Sequence, residues 1–204
     1  RSMRCDVSKA ELIAEFGELS DPNIELAKEV FGHFGLVFMK FGLVEHAMIN
    51  VLTFGGAIDA IRTGKAKDAT SYQAAFDKAF EDAKALTFGN LIRGLLRIPD
   101  FHDLESRLLT TKKKRDYFAH HFMREEAAYF GDTEGCWLLL VKIAGVRREL
   151  ISLEEDIELR RAQMCARAKF PLPDKAALQR MVEGYHQEAL QNLASGDAKV
   201  GWER

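Results

Sequence analysis

The chain has 204 residues, 47% hydrophobic and 29% charged, which is typical of a globular protein and excludes a disordered one. Its 29 basic and 31 acidic residues give a net charge of −2, so it lacks the basic surplus of proteins that coat nucleic acid non-specifically. Only 4 prolines occur and strong helix formers dominate, without the alternating runs that indicate strands. The composition therefore predicts an all-α protein.

The cysteines and the N-terminus indicate a cytoplasmic protein. The chain has three cysteines, Cys5, Cys136 and Cys165, which lie far apart and form no CxxC pair. An odd number of separated cysteines is typical of free thiols in a reducing compartment. No zinc-ligand spacing is present, and the chain does not begin with a charged segment followed by an apolar one. We therefore expect a cytoplasmic chain with no metal and no cofactor.

The N-terminal part of the chain predicts one short helix and one long helix. Residues 1–20 are expected to form an extension with a helix at Lys9–Leu19, whose start resembles a capping box. A second helix, Asn23–Arg62, follows Asp21-Pro22. Its apolar region is interrupted by charged side chains, which predicts a core helix and no membrane span.

The glycines of this long helix leave two interpretations open. Gly35, Gly42 and Gly56 fall in one seven-residue register, so small residues line one stripe of the helix. The stripe is compatible with tight packing inside the core and with a seam between two copies of the chain. A bend at Gly55-Gly56 is also expected, since glycine pairs are common sites of helix kinks.

The rest of the chain continues the helical pattern. Pro99 ends one helix, and Asp100 is expected to cap the next. Short turns between helices favour an antiparallel bundle over 21–168, followed by a C-terminal helix and tail over 169–204. The further predicted helices are Ser71–Leu86, Leu91–Ile98, 100–130, Trp137–Ala168 and Asp174–Leu193.

One arginine lies on the apolar stripe of the predicted helix 100–130. A guanidinium that faces a core or an interface is costly unless a carboxylate, a second subunit or an anion pairs with it. Arg115 is therefore a physical anomaly in the pattern, and Glu45, inside the long helix, is one possible partner for it. The stripe consists of Phe101, Leu104, Leu108, Thr111, Arg115, Phe118 and Phe122.

Two polar side chains beside Arg115 form a second pattern. Asp116 and His120 are four residues apart, so they are neighbours on one helix face, where a carboxylate can orient an imidazole. Arg115 and His120 are about 140° apart around an ideal helix and converge only at a bend or across a twofold axis. His121 could share the role of His120.

The segment 115–120, Arg-Asp-Tyr-Phe-Ala-His, resembles the R-[Asn/Asp/His]-x3-H core of HEPN-domain ribonucleases. The segment 86–92, Leu-Thr-Phe-Gly-Asn-Leu-Ile, is similar to a Thr-x-Gly-x-Leu-Ile stretch of bacterial members. Arg97 and His102 have the same spacing as Arg115 and His120, but Ile98 and Pro99 follow Arg97 where the family has a polar residue. The resemblance covers about 21–168.

The resemblance implies a HEPN-like bundle that forms a twofold homodimer and cleaves RNA without metal through attack of the 2′-hydroxyl, which leaves a 2′,3′-cyclic phosphate. His120 would then be a general acid or base, Arg115 would clamp the phosphate, and Asp116 would orient His120. Lys112, Lys113 and Lys114 would attract the RNA backbone, although a lysine run is also typical of a solvated face.

Two functions follow from the resemblance as alternatives, and a helical interaction protein that matches the motif by coincidence is a third interpretation. The first is an endoribonuclease that acts as a toxin or in antiviral defence. The second is a non-catalytic HEPN scaffold that binds a nucleotide or a nucleotidyltransferase-type antitoxin through the same cleft. One toxin subfamily carries a tyrosine two residues after the histidine as the site of AMP addition, and this chain has Phe122 there.

Overall fold

The computed structural model describes residues 25–170 and, farther along, residues 179, 180, 183, 184, 187, 190 and 191. One compact unit comprises Pro22–Phe170, and its described part contains helices and no strand. The all-α prediction is therefore confirmed. The predicted helix Lys9–Leu19 lies outside the described residues, as does most of Asp174–Leu193, whose described residues are helical.

Six α-helices and two 3₁₀ segments follow one another in this unit. Residues 99–104 and 127–131 form the 3₁₀ segments. The α-helices are α1 (Glu25–Arg62), α2 (Ala69–Lys84), α3 (Phe88–Leu95), α4 (Glu105–His120), α5 (Phe122–Glu125) and α6 (Thr133–Arg167).

Side-chain caps fix where three of these helices begin. Asp68 and Ser71 form a capping box that starts α2, with Asp68 Oδ1 accepting from the Ser71 amide at 2.8 Å. Thr87 caps α3 and Asp132 caps α6 by accepting one hydrogen bond each, from the Asn90 and Gly135 amides. Thr87 therefore begins a helix, whereas the sequence analysis placed it in a break between two helices.

The directions of the long helices follow from their contacts. Phe54 of α1 packs edge-on against Phe76 of α2, so these two helices form an antiparallel hairpin. Ion pairs Arg107–Asp156 and Lys114–Glu149 join α4 and α6 in antiparallel order. Lys40 of α1 forms an ion pair with Glu154 of α6, and the Arg161 guanidinium of α6 lies over the Phe54 ring of α1. The two contacts follow the same order along both helices, so α1 and α6 run in the same direction.

The buried face of α1 makes it the central helix of the bundle. By length and composition alone α1 could cross a membrane, with a mean hydropathy of 1.4 over its most apolar window. The expectation that its composition rules out a membrane span was therefore wrong. The property that indicates a core helix is burial, since Val37, Val44, Met48 and Val51 are fully enclosed.

The glycines of the stripe on α1 have different surroundings along the helix. A Cβ added at Gly56 would lie 2.9 Å from Ala79 Cβ, so this glycine permits close packing of α2 on α1. Nothing lies within 4 Å of a Cβ added at Gly35 or Gly42, and both residues are exposed. Packing inside the chain therefore accounts for Gly56 alone, and α1 continues as one helix through Gly55-Gly56.

Gly135 has the least room for a side chain among the described glycines, and we predict a large loss of stability on Gly135→Ala. A Cβ at this position would lie 2.3 Å from the carbonyl oxygen of Tyr129, and backbone atoms cannot move aside as a side-chain end can. We expect the free energy of unfolding to fall by about 1–3 kcal/mol, the usual cost of overpacking. Urea denaturation measures this change.

Gly145→Ala on the same helix is the matched control. Nothing lies within 4 Å of a Cβ at Gly145, so alanine should stabilise α6 by about 0.5–1 kcal/mol through its higher helix propensity. Equal effects of the two substitutions would contradict the packing of the second 3₁₀ segment on the start of α6.

Candidate functional site

Arg115 lies at the edge of the core, between α4 and α3. Its guanidinium carbon is 5.3 Å from the centroid of the Phe88 ring, and Nη1 lies 3.7 Å from Asp116 Oδ1. The side chain is 37% exposed, whereas Thr111 and Phe118 on either side of it are buried. Stacking on an aromatic face and a nearby carboxylate stabilise this cation.

Glu45 does not supply the carboxylate for Arg115. The acidic side chain within ion-pair distance of the guanidinium is Asp116, and the described part of the chain contains no ion pair between Glu45 and Arg115. The proposed auxiliary role of Glu45 is corrected accordingly. The Arg115 guanidinium instead stacks on Phe88 of α3.

Asp116 joins the charged groups of this region. Its Oδ2 accepts a hydrogen bond from Lys112 Nζ at 2.6 Å. That hydrogen bond lowers the pKa of Asp116 most, burial opposes it, and electrostatic interactions with Lys112, Arg115 and His120 lower the pKa further. Within the described residues, no hydrogen bond joins Asp116 to His120.

The helix ends at the histidines. His120 is the last residue of α4, His121 lies between α4 and α5, and the backbone turns there with φ −123° and ψ −35° at His121. The prediction of one continuous helix over 100–130 is therefore wrong. Burial of Phe122 explains the turn, since its ring packs on Phe118 at 4.9 Å and on Phe34 at 5.1 Å.

The two histidines differ in how they are held. His121 Nδ1 lies 2.8 Å from Arg124 Nη2 and 3.2 Å from Glu125 Oε1, and its ring stacks on Tyr117. His120 is exposed, and its ring contact among the described residues is with His121 at 6.5 Å. Because the His121 ring already has partners, His120 is the better candidate to meet a substrate.

The three lysines before Arg115 have different surroundings. Lys112 binds Asp116 on the same helix, and Lys114 forms an ion pair with Glu149 on α6. Lys113 is exposed and has no ion pair with the residues that the structure describes. The predicted RNA-binding run therefore contains one uncompensated charge rather than three.

A polar cluster beside the motif was not found from the sequence. Glu126 is 8% exposed and accepts hydrogen bonds from Tyr117 and from Lys142, whose Nζ lies 3.2 Å from the Tyr117 hydroxyl. Burial raises the pKa of Glu126, but the hydrogen bonds from Lys142 and Tyr117 outweigh burial and hold the pKa below 4.5. This cluster fixes the segment after the histidines against α6.

We predict that Glu126→Gln destabilises the fold in a pH-dependent way. A folded-state pKa below the unfolded one contributes stability above about pH 4.5, and this stability is lost as pH falls through the folded pKa. The free energy of unfolding, measured with urea, should be about 1–3 kcal/mol lower in the variant than in the wild type at pH 7. This difference should shrink toward pH 4. Glu155→Gln, at an exposed position of α6, is the control and should show no such trend.

The motif residues do not share a pocket within one chain. Arg115, Asp116 and His120 are absent from the walls of the pockets that we found in the described residues. The same residues include no cluster of three or more His, Cys, Asp or Glu side chains placed to hold a metal ion, and Cys136 and Cys165 are buried free thiols. Arg115 and His120 therefore share none of these pockets within one chain.

Comparison of the chain with protein-family models, with curated proteins and with solved structures gave no significant match. The HEPN resemblance thus depends on the segments 115–120 and 86–92 alone. Their placement gives it one geometric link, because Phe88 of the second segment stacks on Arg115 of the first.

Proposed function

We propose that this chain is a cytoplasmic, metal-independent endoribonuclease of the HEPN type, acting as a toxin or defence effector. The observation that carries the proposal is the cluster in which Asp116 lies next to Arg115 and within electrostatic reach of the exposed His120 at the end of α4. Guanidinium binds a phosphate by paired hydrogen bonds, and imidazole transfers protons near neutral pH.

The chemistry of this set is transesterification of RNA. One imidazole removes the proton of a ribose 2′-hydroxyl, whose oxygen then bonds to the adjacent phosphorus. The bond from phosphorus to the 5′-oxygen breaks, and a second imidazole returns a proton to that leaving oxygen. Arg115 stabilises the negative charge that develops on the phosphoryl oxygens. Two imidazoles at one phosphate are available if two copies of His120 meet.

The open part of α1 supports self-association. Phe31, Phe38, Met39 and Leu43 are between 37% and 55% exposed, and Gly35 and Gly42 lie among them without a packing partner in the described unit. The ionisable side chains of the span 31–43 are His33, 37% exposed, and Lys40, 20% exposed and paired with Glu154, so the face is mainly apolar.

This face adjoins the end of α4 that carries the histidines. The exposed Phe38 stacks on Phe34 at 6.1 Å, and Phe34 packs on Phe118 and Phe122, which flank His120. A dimer through α1 would therefore bury an apolar surface beside the proposed catalytic residues.

We predict a dimer that Met39→Glu dissociates. The charge would be placed at the centre of the exposed apolar face, where its desolvation opposes association. Sedimentation at micromolar concentration should give a dimer for the wild type and a monomer for the variant. Leu159→Glu, at a residue 58% exposed on α6, is the control and should stay dimeric. A wild-type monomer would remove the composite site.

The direct test is incubation of the purified chain with single-stranded RNA in EDTA. We expect cleavage that survives chelation. Lack of cleavage with and without added divalent metal would overturn the proposal.

A non-catalytic HEPN scaffold is the second candidate, and two observations favour it. Asp116 is already engaged by Lys112, and the net charge of −2 gives no overall attraction to RNA. Such a scaffold would bind a nucleotide or a nucleotidyltransferase-type antitoxin and leave RNA intact in the same assay.

A further inference from the structure

A cleft between α4 and α6 lies near the motif but outside it. Its volume is about 620 Å³, within the usual range of ligand sites, about 300–1,000 Å³. Hydroxyl groups of Ser106 and Thr110 on α4 and of Ser152 on α6 line it, together with the guanidinium of Arg148. All four side chains can donate hydrogen bonds to an anion.

The charges in this cleft favour an anion over a cation. Arg107 is engaged by Asp156 and by Ser152 Oγ at 3.1 Å, and Glu149 is engaged by Lys114. Arg148 is exposed and has no ion pair with any residue that the structure describes. The remaining uncompensated charge of the lining is therefore positive.

The cleft lies in register with His120 along α4. Seven residues separate Ser106 from Lys113 and Lys113 from His120 along α4. Each interval of seven rotates the position by only about 20° around the helix, so the three residues occupy nearly the same face. Ser106 lines the cleft and Lys113 is exposed between the cleft and the histidine. The distance along the helix axis from Thr110 to His120 is about 15 Å, which needs several nucleotides to span.

We propose that the α4–α6 cleft binds a backbone phosphate of single-stranded RNA at a distance from the cleaved bond. Arg148 and the hydroxyl groups hold that phosphate, and Lys113 contacts the backbone between the cleft and His120. This inference rests on the proposed function for the position of the cleaved bond. It extends that function by assigning Arg148 as a substrate-binding residue and by requiring a substrate longer than a dinucleotide for full affinity.

The test compares substrates of two lengths. Arg148→Gln should raise the KM of an RNA of about ten nucleotides, relative to the KM of a dinucleotide, roughly 3- to 10-fold. Arg62→Gln removes the same charge at the end of α1, at a residue 80% exposed, and should leave this ratio unchanged. An unchanged ratio in Arg148→Gln would overturn the inference while wild-type cleavage still supports the proposed function.

Direct binding separates the two proposals if the wild type does not cleave. Fluorescence anisotropy with the longer RNA measures Kd across a salt series. Loss of one phosphate contact should weaken binding and reduce the slope of log K against log salt by about 0.7. That result would support the cleft although the nuclease proposal had failed, and equal Kd values for the wild type and Arg148→Gln would overturn the cleft proposal.

Discussion

His120→Ala is expected to reduce the rate of RNA cleavage by about 10²–10⁴-fold, the usual contribution of a general acid or base. The imidazole is exposed at the end of α4, and its ring contact in the described unit is with His121 alone, so its removal should leave the fold intact. The measurement is the single-turnover rate in EDTA, accompanied by the unfolding midpoint.

His102→Ala supplies the matched control for this change. His102 follows Arg97 at the spacing that separates His120 from Arg115, and it is also exposed. It lies in the first 3₁₀ segment, where the nearby Asp100 and Asp103 pair with Arg167 and Arg160 of α6 and not with Arg97, so we expect full activity. Equal rates for the wild type and His120→Ala would point to a contaminating nuclease.

Arg115→Ala is expected to lower the cleavage rate about 10²–10³-fold, as loss of one donor to a developing oxyanion commonly does. Arg115→Lys should recover part of that loss, because an ammonium keeps the charge but cannot form two parallel hydrogen bonds. The rate is measured at saturating RNA, where weaker substrate binding does not contribute.

Stability separates the chemical role of Arg115 from a packing role. Its guanidinium stacks on Phe88, so alanine also removes a contact between α4 and α3. Phe88→Leu removes the stacking and keeps the guanidinium, and it should retain most of the activity once the protein is folded. Arg97→Ala changes an exposed arginine outside the cluster and should be neutral in both measurements. If the loss of stability in Arg115→Ala accounts for its whole loss of cleavage rate, the phosphate role is contradicted.

The sequence predicted the helices more reliably than their ends. Apolar spacing and capping residues located α1, α2 and α6, since these signals are local. The end of α4 could not be predicted, because no glycine or proline lies near His121. Contacts of Phe122 with Phe34, distant in sequence, decide the turn there.

The sequence named the members of the candidate site but not their contacts. It placed Arg115, Asp116 and His120 inside one helix over 100–130, whereas the helix that carries them ends at His120. Helical spacing is compatible with the Lys112–Asp116 pair, which is four residues apart, but it could not reveal that the Arg115 guanidinium stacks on Phe88. The buried Glu126 was missed because its partners lie nine and sixteen residues away, outside helical spacing.

The most direct measurement uses two RNA oligonucleotides of one sequence, one with free 2′-hydroxyl groups and one with every 2′-hydroxyl methylated. Incubated with the wild-type chain in EDTA, the first should be cut into fragments that end in 2′,3′-cyclic phosphate, and the second should stay intact. Cleavage of both oligonucleotides, or of neither, would contradict a nuclease that acts through the ribose hydroxyl.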